Sequence, residues 1–127
     1  MKKVISTTNA PAAIGPYSQA IAVNGFVYTS GQLPIDPKTG EMPDDISAQT
    51  EISLKNVSAI LEEAGSSLEH AVKMTVFVRD MGDFDKINAV YKTFFKNDPP
   101  ARSLIQAARL PKDAGIEIEC VAICTLN

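Results

Sequence analysis

Arg102 is the residue of this chain best suited to grip an anion. It stands in Pro99-Pro100-Ala101-Arg102-Ser103-Leu104-Ile105, so it enters a strand rather than a solvated loop. Alternation along that strand groups it with Leu104, Gln106 and Ala108. A guanidinium in such a setting requires a partner, because burying an unpaired charge is costly. Its planar fork matches a carboxylate in bidentate geometry. Two kinds of partner fit: a glutamate of the same protein, with Glu117 and Glu119 as candidates, or the carboxylate of a ligand. If segments 101–108 and 116–125 formed a simple hairpin about Lys112, Arg102 would lie opposite Ala122. Glu117 would then be displaced along the strand by roughly 16 Å, at about 3.3 Å per residue. In that register Arg102 and Glu117 meet only across an interface between chains, where a cleft offers a small ligand a sheltered concavity.

Three further positions invite a functional reading beside a structural one. Tyr17 follows the turn signal Gly15-Pro16, so its ring either enters a neighbouring cleft or packs as a core or interface aromatic. Asn88 borders the apolar stripe of a helix, where it either reaches a ligand or satisfies a backbone group. Gly31, after Thr29-Ser30, marks a bulge or a close backbone approach. Phe84, Phe94 and Phe95 are expected in the core. The familiar constellations are missing from the sequence: it has no glycine-rich phosphate loop, no H-E-x-x-H and no G-x-S-x-G. The single histidine, His70, has no second His or Cys near it in sequence, so no metal site is expected. Any chemistry would rest on charge placement, hydrogen bonds and a positioned water.

The elements that must hold these residues read as ββ-α-β-α-ββ, with a short first strand at Val4–Ser6. Asn24-Gly25 between the β-prone runs 18–23 and 26–30 is a hairpin signal, because a type I′ turn requires positive φ at both central residues. A surface loop with turns at Asp36-Pro37 and Thr39-Gly40 follows. Residues 46–64 have the helical period: Ile46, Leu54, Val57, Ile60, Leu61 and Ala64 share a face with Thr50 and Ser53. Asp45 is the expected N-cap and Gly65 the residue just past the end. Residues 72–79 form a strand with Val72, Met74, Val76 and Val78 on one face. A second helix carries Phe84, Ile87, Tyr91, Phe94 and Phe95 and is capped near Asp83. Strands at 101–108 and 116–125 close the chain.

A helix between strands permits parallel pairing and hairpins demand antiparallel pairing, so a mixed, mostly antiparallel sheet of α+β class is expected. Two helices with one apolar stripe each cover one face. The other face is not polar: in the last strand Ile116, Ile118, Cys120, Ala122 and Cys124 alternate with Glu117, Glu119, Val121 and Ile123. Apolar residues on both faces point to oligomerisation through the uncovered one.

With 127 residues the chain fits one domain spanning 1–127. Twelve Lys and Arg against fifteen Asp and Glu give a net charge of −3, which argues against a nucleic-acid binder. No apolar run is long enough to span a bilayer, and the basic start Met1-Lys2-Lys3 lacks the apolar stretch of a secretory signal. Cys120 and Cys124 would lie roughly 13 Å apart on one strand, too far to bridge. Two buried, reduced thiols and a cytoplasmic location are the expectation.

Over nearly its whole length the chain resembles the RidA (YjgF) family of reactive-intermediate enamine/imine deaminases. The resemblance is carried by Ala10 through Gln19, Tyr28-Thr29-Ser30-Gly31-Gln32-Leu33-Pro34, Asn56 to Gly65, Lys73 to Asp80 and Ile87-Asn88-Ala89-Val90-Tyr91. It continues in Pro100-Ala101-Arg102-Ser103 and in Ala108-Arg109-Leu110-Pro111-Lys112-Asp113 through Ile116-Glu117-Ile118-Glu119. It implies a chorismate-mutase-like fold, a homotrimer with clefts between subunits, and cofactor-free hydrolysis of 2-aminoacrylate and 2-iminobutanoate to 2-oxo acids and ammonia. The physiological sense would be protection of pyridoxal-phosphate enzymes from these compounds. It also implies that Arg102 binds the substrate carboxylate and that Tyr17, Gly31, Asn88 and Glu117 line the cleft. Many members carry a cysteine two residues after the arginine. Here that position is Leu104, which puts thiol-based redox activation in doubt. The alternatives are a non-catalytic binder of 2-oxo acids or amino acids and, less favoured by the acidic charge balance, a translation inhibitor or ribonuclease.

Overall fold

The computed structural model describes residues 1–124. Six strands, β1 (Lys3–Ile5), β2 (Ala20–Val23), β3 (Phe26–Thr29), β4 (Ala71–Val78), β5 (Ala101–Gln106) and β6 (Ile116–Ile123), form one sheet in the order β1-β2-β3-β6-β4-β5. Helix α1 (Ile46–Glu63) links β3 to β4, and α2 (Phe84–Phe94) links β4 to β5. All pairings are antiparallel except β4–β5, the pair joined through α2, as a crossover connection requires. The expected mixed α+β sheet is therefore present. The part of the last expected strand at Thr125 lies outside the described residues.

Local signals set the element ends. Asn24 and Gly25 both have positive φ, 50° and 82°, and close the β2–β3 hairpin as its dipeptide demands. Asp45 caps α1, its Oδ2 accepting from Ala48 N at 2.9 Å. At the other end Gly65 N donates to Glu62 O and Ser66 N to Leu61 O, the paired bonds of a Schellman stop. Asp83 occupies the cap position of α2, but its side chain accepts no capping bond. Instead Asp80 caps the preceding short turn, accepting from Gly82 N.

One face of the sheet is the core. Val27, Met74, Val76, Val78, Ile116, Ile118, Cys120 and Ala122 pack beneath Leu54, Val57, Ile60, Leu61 and Ile87 of the two helices. Val72 leaves the expected row: the β4–β6 register shifts between Ala71 and Lys73, so Val72 is displaced and exposed. The stripe of α1 also includes two amides that apolar periodicity did not pick out, the buried Gln49 and Asn56. Asn56 Nδ2 donates to Leu33 O at 3.1 Å and Ile35 O at 2.9 Å, tying the loop after β3 to the helix. Gln49 donates to Pro43 O and accepts from Gly115 N at the start of β6. These bonds offset the cost of burying amides and fix two loops that frame the groove described below.

The uncovered face carries Val4, Ile21, Val23, Phe26, Tyr28, Val121, Ile123, Phe77 and Ile105, by the strand registers. Tyr28, Ile105 and Ile123 are each about half exposed, at 47, 50 and 48%. This open face, apolar around Glu117, Glu119, Lys73 and Thr75, is the surface the sequence pattern predicts.

Candidate functional site

The register of the edge strand decides where Arg102 points. It pairs with Met74, a core residue, so Arg102 projects to the helix-covered side of the sheet, at the β5 edge. There it meets α2. Phe84, Asn88 and Tyr91 are spaced i, i+4, i+7 and form one row along that helix. Arg102 Nη1 donates to Asn88 Oδ1 at 2.7 Å. The guanidinium carbon lies 4.7 Å from the centroid of the Tyr91 ring and 5.9 Å from that of Phe84. Phe84 was expected in the core, yet it remains 38% exposed, because it flanks this charge. Among the described residues no carboxylate pairs with Arg102; the ion pairs are Lys55–Glu51 and Arg79–Asp113. Neither Glu117 nor Glu119 is its partner within the chain.

The hairpin register expected for Arg102 is not the one adopted. β5 and β6 are not neighbours, because β4 lies between them, and Arg102 is not opposite Ala122. The separation of Arg102 from Glu117 nevertheless stands, for a stronger reason. Glu117 pairs with Phe77, one of the residues alternate to Met74 and Val76, and so projects from the uncovered face. The two side chains belong to opposite faces of the sheet. Nor is β6 an edge strand; it is flanked by β3 and β4, and its glutamates sit in the middle of the sheet.

Glu117 belongs to a groove of about 900 Å³ whose lining includes Ile14, Tyr17, Gly31, Leu33, Ile35, Pro111, Lys112 and Glu119. Gly31 follows β3, and an isolated bridge between Gln32 and Ile118 brings it against β6. A Cβ on Gly31 would fall 2.8 Å from Glu117 Cδ and 2.9 Å from Cγ, so the glycine is where the backbone approaches this carboxyl. Burial on one side and the neighbouring Glu119 charge raise the Glu117 pKa above the usual carboxylate value. Tyr17 stands at the rim, half exposed, its Oη accepting from Ile14 N at 3.3 Å. The turn signal before it is realised: Tyr17 N donates to Gly15 O, and Gly15 has a φ of 125°. Behind the rim the buried Gln19 side chain bonds Thr7 N, Thr7 O and Pro11 O, pinning the segment that carries the groove's wall.

Five sequence-predicted residues thus fall into two groups. Tyr17, Gly31 and Glu117 are together in the groove; Arg102 and Asn88 are together at the β5 edge. Sequence reading missed the anchors Gln19, Gln32, Gln49 and Asn56, although a glutamine or asparagine inside an apolar stripe was the available signal. It also missed the aromatic surroundings of Arg102, for which the i, i+4, i+7 spacing of Phe84, Asn88 and Tyr91 was the signal. Both thiols are buried. Cys120 is buried and its pKa is pushed up to about 12, and Cys124 Sγ donates to Ala64 O. Leu104 packs against the core.

Residues 7–124 match the model of the family described as Endoribonuclease L-PSP. A RutC family protein of Pasteurella multocida is 58% identical over 127 residues, covering 97% of this chain and 98% of that protein. The 2-iminobutanoate/2-iminopropanoate deaminase of Salmonella typhimurium is 53% identical over 126 residues, with the same coverage. Among solved structures, E. coli TdcF with bound serine superposes with a TM-score of 0.94 at 49% identity, covering 97% of this chain and 99% of that one.

Proposed function

We propose, from the premise that this chain belongs to the Endoribonuclease L-PSP family, that it is an imine deaminase. As a single domain over residues 1–127, it would hydrolyse 2-aminoacrylate, after tautomerisation to its imine, and 2-iminobutanoate to 2-oxo acids and ammonia. In the cell this would spare pyridoxal-phosphate enzymes from attack by such intermediates. The carrying observation is Arg102, an arginine held by Asn88 with no carboxylate partner among the described residues. The name of the Salmonella relative supplies the substrate class that fits it, a small 2-imino acid. The serine bound in the TdcF structure is likewise a small molecule with a carboxylate.

The active unit is a homotrimer of chorismate-mutase-like subunits, joined through their uncovered sheet faces. Two observations support it. The face is apolar at Phe26, Tyr28, Ile105 and Ile123, and Arg102 and Glu117 project from opposite sides of one sheet. A complete site then takes Arg102 and Asn88 from one subunit and Tyr17, Gly31 and Glu117 from the next.

The reaction requires little of the protein. Arg102 anchors the carboxylate and lowers the entropic cost of orientation. Water adds to the already electrophilic imine carbon while the nitrogen takes up a proton. The carbinolamine's hydroxyl proton then passes to the nitrogen as the C–N bond breaks, leaving the 2-oxo acid and ammonia. Glu117, with its raised pKa, holds a proton more readily than an ordinary carboxylate and is suited to give and recover one. Tyr17 adds a hydrogen bond, and the Gly31 carbonyl is a second acceptor for the water or the leaving nitrogen. No cofactor takes part.

A serine or threonine dehydratase supplied with its substrate tests the reading: 2-oxo acid should appear faster when this protein is added. No acceleration would overturn it. A ribonuclease reading is opposed by the acidic charge balance of the chain, with a net charge of −3.

A further inference from the structure

The aromatic contact beneath Arg102 is not accounted for by carboxylate binding alone. An arginine side chain has several rotatable bonds, and a free one would have to be ordered each time a ligand bound, which weakens binding. Here it is ordered beforehand. The guanidinium lies over the Tyr91 ring at 4.7 Å, and Nη1 is held by Asn88 at 2.7 Å. Its other donors make no hydrogen bond to a described residue. The ring is itself immobilised: it is buried and packs against Phe95 with centroids 4.7 Å apart. The Tyr91 hydroxyl is buried without a hydrogen-bond partner among the described residues, so it is the ring that contacts the charge usefully. A flat cation resting on a fixed ring, with one donor already engaged, keeps its remaining in-plane donors in a fixed direction. A planar carboxylate offers two equivalent charged oxygens to such a pair of parallel donors; a neutral amide or ester offers neither the charge nor the second equivalent oxygen.

We propose that Tyr91 is a positioning residue: the face of its ring holds the Arg102 guanidinium in the plane that receives the substrate carboxylate, and so restricts the site to imines bearing one. This rests on the reading of Arg102 as the carboxylate anchor. A face contact of this type corresponds to a threefold to thirtyfold effect on affinity, roughly.

The experiment compares Tyr91→Phe, Tyr91→Leu and Tyr91→Met, each also combined with Arg102→Ala, in the assembled protein. Steady-state imine hydrolysis, solution mass and thermal melting are measured. Tyr91→Phe keeps the ring and is expected to hold KM within about twofold, with a melting temperature equal or higher because an unsatisfied hydroxyl is gone. Tyr91→Leu is expected to raise KM by about threefold to thirtyfold with kcat changed far less. Tyr91→Met, closer in reach and more adaptable, gives the same readout if Tyr91→Leu does not fold. In the Arg102→Ala background these substitutions should cost nothing further in kcat/KM, since a residue that acts through Arg102 has nothing left to position. The proposal is overturned if a folded Tyr91→Leu or Tyr91→Met protein keeps its KM, or if the loss is equal in both backgrounds. If Arg102→Ala alone leaves kcat/KM unchanged, the anchor reading fails and this proposal falls with it. If Arg102→Ala is costly while Tyr91→Leu is not, the positioning proposal alone fails.

Discussion

The Arg102 region and the Glu117 region solve opposite electrostatic problems with different materials. At the β5 edge a cation is held by a helix row, two aromatic faces and one amide, with no opposing charge among the described residues. In the groove a carboxyl is held against a glycine backbone beside a second carboxylate, an arrangement that raises its pKa. The first region comes from regular elements, α2 and β5. The second depends on the segment 7–11, the segment 30–35 after β3 and the loop 109–115, secured by buried amides at Gln19, Asn56 and Gln49 respectively. One chain therefore presents a held cation and an acid with a raised pKa on opposite faces of one sheet. The difference teaches that each half is finished locally, and on the proposed reading they meet only between subunits.

The largest expected effect comes from breaking the cationic half. Arg102→Ala should lower kcat/KM for a 2-imino acid about a hundredfold, the loss of a charge-assisted pair worth about 3 kcal/mol. The circular dichroism spectrum should stay unchanged. Equal activity would leave the two regions without a functional link.

Complementation tests the division between subunits directly. Arg102→Ala and Glu117→Gln proteins, each poorly active, should recover about a quarter of wild-type activity when unfolded together and reassembled. Random mixing in a cyclic trimer leaves one cleft in four with both groups intact. If both groups served one subunit's site, no activity would return.

Gly31→Ala should disturb only the acidic half. The new methyl collides with the Glu117 carboxyl, which should cost about 1–3 kcal/mol of stability as overpacking. Activity should fall about tenfold, with KM nearly constant, because the arginine is untouched. A large KM change instead would mean that the halves are not separable.

The smallest effect concerns pH. Because the folded-state pKa of Glu117 lies above the unfolded value, the native state binds the proton more readily. Stability therefore falls as pH rises from the unfolded carboxyl range through the raised native value. Glu117→Gln should remove that slope and gain on wild type toward neutral pH. Urea midpoints at about pH 4 and pH 7 check it, and a wild-type advantage that grew with pH would contradict the sign.

Much of the fold was legible because its signals are local. Asn24-Gly25 dictated a hairpin, Asp45 and Gly65 bracketed α1, and alternation sorted the faces of β4 and β6 apart from the bulged Val72. The candidate residues were also legible as types: a strand arginine, a glycine marking a bulge or a close backbone approach, a tyrosine after a turn. Partnership was less so. The expected β5–β6 hairpin is replaced by β6 inserted between β3 and β4, since a chain-adjacent pair and a distant pair carry the same alternating pattern. Phe84 looked like core by type and proved to be a flank of Arg102, since an apolar stripe does not state which of its members meets a charge.

By itself, then, the sequence determined the element order, the two-sided apolar character of the sheet and the residues able to do chemistry, because propensity, capping and periodicity act within a few residues of chain. Only the tertiary structure decided that Arg102 and Glu117 project from opposite faces and that an aromatic ring lies beneath the arginine. Those outcomes depend on which strands lie side by side and on how α2 crosses β5, and such long-range pairing is fixed by the packing of the whole sheet rather than by any one segment.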